Sequence, residues 1–433
     1  MRQLCNATKL SFLMAQQSSV FTTERQFNFG FFEYRFSWHI YARYLLVLIG
    51  LIALLLSTLP AHAAVSYTFP GALPDGCSGQ NGNYICGVLT LADNDNVNVT
   101  PIAGKPTVIT VNGDFTTGQF VKINSTGSAN DVEFFVYGVT TIGFSSTVKA
   151  NITSTDGVIN IGDNSRFTGT LKSDNAAINV ADSVLVTGSI YTIVSGVINV
   201  GTGSTVTGSL NTYTGAINVG AKSKTGSLIS VSAGAITIGA DAMINDHVST
   251  GAGAIITGDR SNVDGDITTR VGAITIGTDA RVGGNINNLD ISTAGAVTVK
   301  QRAIVTGTIL TDAGAVTLGA ASQAAGIATK DGAITVGALS KVAGSICSGN
   351  SGAITVGAGS TVSGNVISKV AGAVTVGSLA KVVGAVLVLG AGARTVADDA
   401  NVGDKTVSSK CANDVVRGLT TIKSREWRQL FMR

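Results

Sequence analysis

Aromatic and charged residues are scarce in this chain of 433 residues: aromatics make up 6% and charged residues 13%. A globular core of this length normally uses more aromatic mass. The formal net charge of +3 is small and dispersed, which excludes a basic nucleic-acid-binding surface. The mean hydropathy of +0.36 argues against disorder. The composition therefore predicts an ordered chain with a narrow interior filled by Ile, Val, Leu and Ala.

Residues that could carry catalysis or bind a metal are also few. His247 is the only histidine beyond the leader, and its neighbours offer no nucleophile signature. No phosphate-loop ending or Cys-x-x-Cys pair is present, and Asp93 to Asn96 lacks the Gly and distal Glu of a calcium loop. The other acidic residues scatter over turn-like positions: Asp163, Asp182, Asp241, Asp259, Asp264, Asp266 and Asp279. We therefore expect no catalytic residue, no metal and no cofactor.

What the chain does contain is a repeated phrase, Gly-Ala-Ile-Thr-Val-Gly, with variants. The copies open at Gly138, Gly157, Ala176, Gly196, Gly215, Gly234, Gly253, Gly272, Gly295, Gly314, Gly332, Gly352, Gly372 and Gly392. Successive openings are 18 to 20 residues apart, with one step of 23 after Gly272. A fixed short period without helix signals predicts an all-β solenoid, in which each coil buries its apolar residues on its neighbours.

One coil, 352–371, shows how the repeat divides. Three short apolar stretches lie at 354–356, around Val362 and at 366–367, with Gly357 and Gly364 at the corners between them. Strand alternation places Ile354 and Val356 on one side and Thr355 on the other, so Thr355 should face solvent. The prediction is a single-stranded, three-sided parallel β-helix, right-handed, with about 14 coils and a length of roughly 65 Å at about 4.8 Å per coil.

The outward position of the first stretch predicts a column of Thr and Asn along the solenoid. Its predicted members are Asn160, Asn179, Asn199, Asn218, Thr237, Thr275, Thr298, Thr317, Thr335, Thr355 and Thr375. Thr is a good strand residue and Asn side chains hydrogen-bond along a stack, which is a purely structural explanation. The same array is flat, weakly polar and regularly spaced, which favours contact with an ordered partner such as a glycan, another solenoid or ice.

The N-terminal region resembles a secretory signal. An apolar stretch at 44–56 follows Arg35 and Arg43 and precedes Leu59-Pro60-Ala61-His62-Ala63, an A-x-A-like site with expected cleavage after Ala63. The leader, residues 1–42, is longer than a normal charged segment. They indicate a start codon placed too far upstream, or else an extended signal or an uncleaved anchor. We expect an exported protein in the periplasm, on the outer surface or in the medium.

Export would place four cysteines in an oxidising compartment. Cys77 and Cys86 flank a turn-rich segment that allows them to meet, and we predict a disulfide between them. A second disulfide between Cys347 and Cys411 is a weaker expectation, because about three coils separate them. Cys5 belongs to the leader.

The expected organisation has four parts: a leader and signal at 1–63, an irregular N-terminal cap at 64–110, repeats at 111–402 and a C-terminal segment at 403–433. The cap would protect the free strand edge of the first coil. The last segment is basic, with Arg417, Lys423, Arg425, Arg428 and Arg433. It is expected to be a cap, a basic surface tail or the ragged end of a longer reading frame.

The corner sequences Val282-Gly283-Gly284-Asn285-Ile286 and Val362-Ser363-Gly364-Asn365-Val366 resemble the repeat of bactofilins, the bacterial polymer-forming cytoskeletal family. The resemblance covers roughly 138–392 at the level of pattern. It implies a three-sided right-handed β-helix that associates end to end without a nucleotide. The segment from Phe69 through Cys77 to Cys86 also resembles exported bacterial proteins of the MSHA pilus biogenesis MshQ type. That resemblance implies a surface or adhesin-like protein.

These observations favour an exported, non-enzymatic structural, polymer-forming or adhesin-like element. The alternative is a ligand-binding β-helix that recognises a glycan or ice through the Thr/Asn column, and a polysaccharide-active enzyme is a third reading. The expected partners are other copies of the chain, joined end to end or laterally, or cell-surface glycans and pilus components. Neither nucleic acid nor a small-molecule substrate is expected.

Overall fold

The computed structural model describes residues 64–102, 104–289 and 295–403. The leader, the cleavage site at Ala63 and the segment that contains Cys411 lie outside the described residues. The described part is all-β, as predicted, and its parallel strands stack as a solenoid. Its one helical element is a short 3-10 turn, Ala129–Asp131, capped by Ser128. Within these residues, no helix has the length and apolarity needed to cross a membrane.

Three strands per coil form three sides of the solenoid, which confirms the three predicted apolar stretches. In the coil that starts at Gly332, the chain runs through Ile334–Val336, Lys341–Val342 and Ile346–Ser348 before it reaches Ile354–Val356 of the next coil. We name the three sides face 1, face 2 and face 3 in this order. Each strand pairs in parallel with the equivalent strand one coil away.

Face 1 is a 16-stranded parallel sheet. Its strands are Leu89–Leu91, Phe115–Thr117, Thr140–Ile142, Ile159–Ile161, Ile178–Val180, Ile198–Val200, Ile217–Val219, Ile236–Ile238, Ile255–Thr257, Ile274–Ile276, Val297–Val299, Val316–Leu318, Ile334–Val336, Ile354–Val356, Val374–Val376 and Arg394–Val396. The last 14 strands follow the 14 repeat openings read from the sequence, and two further strands precede them.

Faces 2 and 3 share two long strands that continue around the corner between them, Ile304–Thr311 and Gln323–Thr329. The other strands of face 2 are Ser66–Phe69, Asn96–Val99, Lys122–Ile123, Thr147–Lys149, Arg166–Thr168, Leu185–Thr187, Thr205–Val206, Lys224–Thr225, Met243–Ile244, Asn262–Val263, Arg281–Val282, Lys341–Val342, Thr361–Val362, Lys381–Val382 and Asn401–Val402. The other strands of face 3 are Cys77–Gln80, Asn83–Cys86, Thr107–Val111, Val132–Val136, Asn151–Ser154, Leu171–Ser173, Ile190–Thr192, Leu210–Thr214, Leu228–Ala233, Val248–Ala252, Ile267–Val271, Ile286–Asn288, Ile346–Ser348, Val366–Ser368 and Val386–Val388.

The core is a continuous stack of branched aliphatic side chains. Ile354, Val362 and Val366, one from each face of a coil, are fully buried. Equivalent positions on successive coils lie directly over one another, which suits β-branched residues in parallel ladders. Buried aromatic rings occur mainly in the first coils, where Phe115 and Phe134 stack with ring centroids 4.9 Å apart. The predicted aliphatic interior is therefore confirmed for the repeat.

Glycine occurs at the corners for two different physical reasons. A Cβ on Gly357 would lie 2.7 Å from the backbone nitrogen of Ala338 in the preceding coil, so Gly357 allows two backbones to approach closely. Gly359 instead has a φ of +64°. Leu339 and Leu379 occupy the equivalent left-handed position in the coils before and after it. The left-handed turn thus recurs in every one of these coils, and glycine is not required for it.

The segment 64–110, expected to be irregular, consists largely of strands that extend the solenoid. Ser66–Phe69 pairs in parallel with Asn96–Val99 on face 2, and Leu89–Leu91 opens face 1. The predicted boundary at 110 falls inside the strand Thr107–Val111. The difference arises because these first coils carry turn-rich sequences rather than the repeated phrase.

The first strand of face 3 runs in the opposite direction to the rest. Cys77–Gln80 pairs antiparallel with Asn83–Cys86, whose other edge pairs in parallel with Thr107–Val111. Cys77 and Cys86 stand directly opposite each other with Cα atoms 4.0 Å apart and form a disulfide, which confirms that prediction. The hairpin therefore occupies the N-terminal edge of face 3.

Candidate functional site

The Thr/Asn column runs along the whole of face 1, in register from coil to coil. Thr335 pairs with Thr355, and Thr355 pairs with Thr375. The complete column comprises Thr90, Thr116, Thr141, Asn160, Asn179, Asn199, Asn218, Thr237, Ile256, Thr275, Thr298, Thr317, Thr335, Thr355, Thr375 and Thr395. Every residue named in the sequence-based column belongs to it. At about 4.8 Å per coil, the column is roughly 70 Å long.

All members of the column face outward. Ile354 and Val356 are buried while Thr355 between them is exposed, as strand alternation predicts. Ala353 before it is exposed and Gly357 after it is half-exposed, so the outward strip of this coil consists of Ala, Thr and Gly. Because these side chains are short, the surface beside the column is flat.

The four asparagines of the column hydrogen-bond to one another. The side-chain nitrogen of each donates to the side-chain oxygen of the asparagine one coil earlier, at 2.8 Å in all three cases: Asn179 to Asn160, Asn199 to Asn179 and Asn218 to Asn199. These bonds fix the orientation of four amides along the stack. The structural explanation of the asparagines is thereby confirmed, and the amides present a pre-ordered row of polar groups.

The sequence-based column missed five positions. Thr90, Thr116 and Thr141 extend it toward the N-terminus and Thr395 extends it by one coil at the other end. Ile256 interrupts it between Thr237 and Thr275 and is 45% exposed. Alignment of each repeat opening would have found Thr141, Ile256 and Thr395. The first two coils lack the repeated phrase, so only their Leu-Thr-Leu and Phe-Thr-Thr strands signal the position.

A second column, of alternating charge, lies at the left-handed corner that follows face 1. We call it the charged column; its members are Lys222, Asp241, Arg260, Asp279 and Arg302, all with positive φ. The Arg260 guanidinium donates two hydrogen bonds to the Asp241 carboxylate at 2.7 and 2.8 Å. Arg302 makes the same pair of bonds to Asp279, at the same distances. These fork-shaped pairs connect adjacent coils.

The pairing shifts the titration of both carboxyls. The hydrogen bonds from Arg260, together with the positive charge of Arg260 and Lys222, lower the pKa of Asp241. The pKa of Asp279 is lowered in the same way by Arg302, with a further contribution from the charge of Arg260. Both pairs are solvent-exposed, so they stabilise the stack only modestly.

Several other acidic side chains at the corners accept hydrogen bonds from the backbone of the next coil. Asp163 accepts a hydrogen bond from the backbone of Asp182, and Asp259 accepts one from Thr278, each at 2.8 Å and one coil apart. Asp95, in the calcium-like stretch, is buried and accepts bonds from the backbone nitrogens of Val65 and Ala92. The His247 side chain is 44% exposed, and its Nδ1 lies 3.1 Å from a carboxylate oxygen of Asp246. The described ranges contain no cluster of three or more residues suited to hold a metal.

An open groove of about 620 Å³ lies on face 3 near the N-terminal end, lined by residues that include Glu133, Phe135 and Lys172. No residue of the Thr/Asn column lines it.

Comparison of the chain with protein-family models, curated proteins and solved structures finds no match. The Thr/Asn column is therefore the candidate site on the strength of its geometry alone.

Proposed function

We propose that this chain is an exported, non-enzymatic β-helix that acts as a structural, polymer-forming or adhesin-like element of a bacterial surface. The observation that carries the proposal is the Thr/Asn column, one flat motif repeated in register over 16 strands of face 1. A surface of this kind offers many equivalent weak contacts. Such contacts add by multivalency when the partner is itself periodic.

The ends of the solenoid support self-association as one form of this function. Within the described residues, Arg394–Val396 is the last strand of face 1 and pairs only with Val374–Val376. An end strand has unpaired N–H and C=O groups that form a template for another strand. A second copy whose first coil meets this edge would continue the ladder.

Electron microscopy of the chain purified from an exported fraction tests the proposal. We expect filaments, or single rods that bind to cells or pili. We also expect the purified chain to begin at residue 64. Recovery of the full chain in the cytoplasm would contradict export. Cleavage of a polysaccharide, abolished by replacing one acidic residue, would contradict the non-enzymatic assignment.

The second candidate is direct binding of a glycan or ice by the Thr/Asn column. It is favoured by the exposed threonines at 4.8 Å intervals and by the hydrogen-bonded asparagines that are already ordered before binding. Replacing Thr317, Thr335 and Thr355 by Lys should abolish glycan retention or thermal hysteresis. The solenoid should stay folded, since all three side chains are exposed.

A matched control places the same three charges on another face. Thr153, Ser249 and Thr268 are half-exposed outward residues of face 3. Their replacement by Lys should leave binding intact. Equal loss in both variants would attribute the effect to net charge, and unchanged binding in the face 1 variant would dismiss this second candidate.

A further inference from the structure

The open groove on face 3 combines an aromatic ring with polar side chains, unlike the flat surface of face 1. It lies over the outward side of three adjacent strands, Val132–Val136, Asn151–Ser154 and Leu171–Ser173. Its volume of about 620 Å³ falls within the range of sites that hold small ligands. The groove is therefore a second place on the solenoid where a ligand could bind.

A ligand in this groove must contact side chains, because the strands beneath it have no free edge. Val132–Val136 pairs on one side with Thr107–Val111 and on the other side with Asn151–Ser154. Asn151–Ser154 pairs in turn with Leu171–Ser173. The backbone groups of these strands are already used, which excludes a peptide that adds to the sheet as a further strand.

Phe135 provides an apolar platform in the groove. It is half-buried and lines the groove, and its partners in register on the two sides are the short residues Thr110 and Thr153. The preceding Phe134 is fully buried and stacks on Phe115 in the core. Phe135 takes the opposite, outward direction and does not contribute to that stack. An aromatic ring between short neighbours offers a flat apolar surface to a ligand.

Polar side chains with unused hydrogen-bonding groups lie beside the ring. The carboxylate of Glu133 has no hydrogen-bond or ion-pair partner within the described residues, and the same is true of the Thr153 hydroxyl. The side-chain oxygen of Asn151 accepts a hydrogen bond from the backbone nitrogen of Thr170 at 2.9 Å. This bond fixes the amide and leaves its N–H groups as donors. The groove thus offers an acceptor and donors close together.

The charges of the groove disfavour an ionic ligand. Lys172 is its basic residue, and the Lys172 ammonium lies 3.8 Å from the Asp174 carboxylate. An anion would meet the unpaired carboxylate of Glu133, and a simple cation would leave the Asn151 donors without acceptors. Hydroxyl groups satisfy both, because each donates and accepts. Glu133 is the one carboxyl among the lining residues, whereas glycoside hydrolysis typically uses a pair.

We propose that this groove binds an uncharged, disaccharide-sized segment of a glycan. One pyranose ring packs its apolar C–H face on Phe135, and its hydroxyls donate to Glu133 and accept from Asn151. Phe135 lies about 7 Å along the strand from Glu133 and about 10 Å across the coils from Lys172, which suits two sugar rings. The site takes a short ligand, whereas the Thr/Asn column requires a periodic partner, so the two sites are independent.

Isothermal titration of the full chain with cellobiose, maltose, lactose and diacetylchitobiose tests the proposal. We expect at least one of them to bind, and Phe135→Ala to weaken its binding about tenfold or more. Phe135→Tyr keeps the ring and should retain binding. Tyr191→Ala is the matched control and should leave binding unchanged, because Tyr191 is the outward aromatic residue one coil beyond Lys172 and does not line the groove.

Absence of binding by all four sugars would overturn the proposal, as would equal affinities of the Phe135→Ala and Tyr191→Ala variants. Should Phe135→Ala fail to fold, Glu133→Gln keeps the size of the side chain and should still weaken binding about fivefold or more. Titration of glucosamine and glucuronic acid disaccharides completes the panel. Binding of these charged sugars alone would contradict an uncharged ligand.

Two lysine variants separate this groove from the Thr/Asn column. Thr153→Lys places a long side chain in the groove and should abolish disaccharide binding. The face 1 variant with Lys at Thr317, Thr335 and Thr355 should retain it. The reverse result would assign the disaccharide to the column and overturn the groove site. Filament formation and retention of a periodic glycan are separate measurements, so their failure would contradict the proposed function and not this site.

Discussion

The side-chain nitrogen of Asn199 donates a hydrogen bond to the side-chain oxygen of Asn179, one coil earlier, across 2.8 Å. The side-chain oxygen of Asn199 in turn accepts a hydrogen bond from the side-chain nitrogen of Asn218, also at 2.8 Å. A residue in the middle of this row therefore makes two side-chain bonds, and a residue at its end makes one. This difference provides a direct test of the contribution of the row to stability.

Replacing Asn199 by Ala removes both bonds and should lower the free energy of unfolding by about 1–2 kcal/mol. Replacing Asn218 by Ala removes one bond and should cost about half as much. Urea denaturation followed by circular dichroism measures both. Replacing the exposed Thr355 by Ala is the control and should have a smaller effect. Equal costs at positions 199 and 218 would show that the amide row does not act as a chain.

The charged column predicts sensitivity to acid. The pKa of Asp241 and that of Asp279 are lowered in the folded state, so each ionised carboxylate stabilises the fold. This contribution is complete above the ordinary pKa of Asp and is lost as the pH falls through the lowered folded-state pKa. The melting temperature should therefore fall on acidification across this range.

The double variant Asp241→Asn and Asp279→Asn should show a smaller decrease in melting temperature over the same range. Added salt should weaken the effect in the unaltered chain, because both pairs are exposed. Asp246→Asn is a suitable control, since its exposed carboxylate has no arginine partner in the described residues. An identical pH profile in the double variant and the unaltered chain would contradict this assignment.

The two corner glycines predict opposite responses to substitution. Gly357→Ala should be destabilising by more than about 1 kcal/mol, because the new Cβ would meet the backbone of the coil before it at 2.7 Å. Gly359→Asn should be tolerated, since Asn adopts positive φ readily and the nearest atom is the end of the Leu339 side chain. Melting temperatures of both variants check this. Equal destabilisation by the two substitutions would show that the left-handed turn, and not the close approach of two backbones, determines which residues these corners accept.

The disulfide between Cys77 and Cys86 predicts a local effect. Replacing both by Ser should increase hydrogen exchange in the hairpin 77–86, because the bond joins directly opposed residues at the end of face 3. Exchange in distant coils, such as 352–371, should be unchanged, because each coil contacts only its neighbours. Faster exchange throughout the solenoid would contradict this local role.

The repeat allowed the fold and most of the Thr/Asn column to be predicted, for a simple physical reason. Ile354, Thr355 and Val356 alternate in, out and in, and the same pattern recurs in each coil. The first coils were missed because Leu89–Leu91 and Phe115–Thr117 keep the alternation without the repeated phrase. The pairing of Arg260 with Asp241 joins residues 19 positions apart, and only the coil register brings them together.

The burial of outward side chains on face 3, such as Cys347, was not predictable from alternation. In Ile346–Ser348 all three residues are buried, so the strand gives no sign of an open outer side. The expected pairing of Cys347 with Cys411 followed from the oxidising compartment that export implies, and Cys411 lies outside the described residues.

Distances between spin labels on the Thr/Asn column test the stacked-coil account most directly. Labels at Thr355 and Thr375, Thr317 and Thr375, and Thr237 and Thr375 are one, three and seven coils apart. Stacked parallel coils predict a separation that grows linearly, by about 4.8 Å per coil, to roughly 34 Å for the last pair. Separations that do not increase with the number of coils would contradict it.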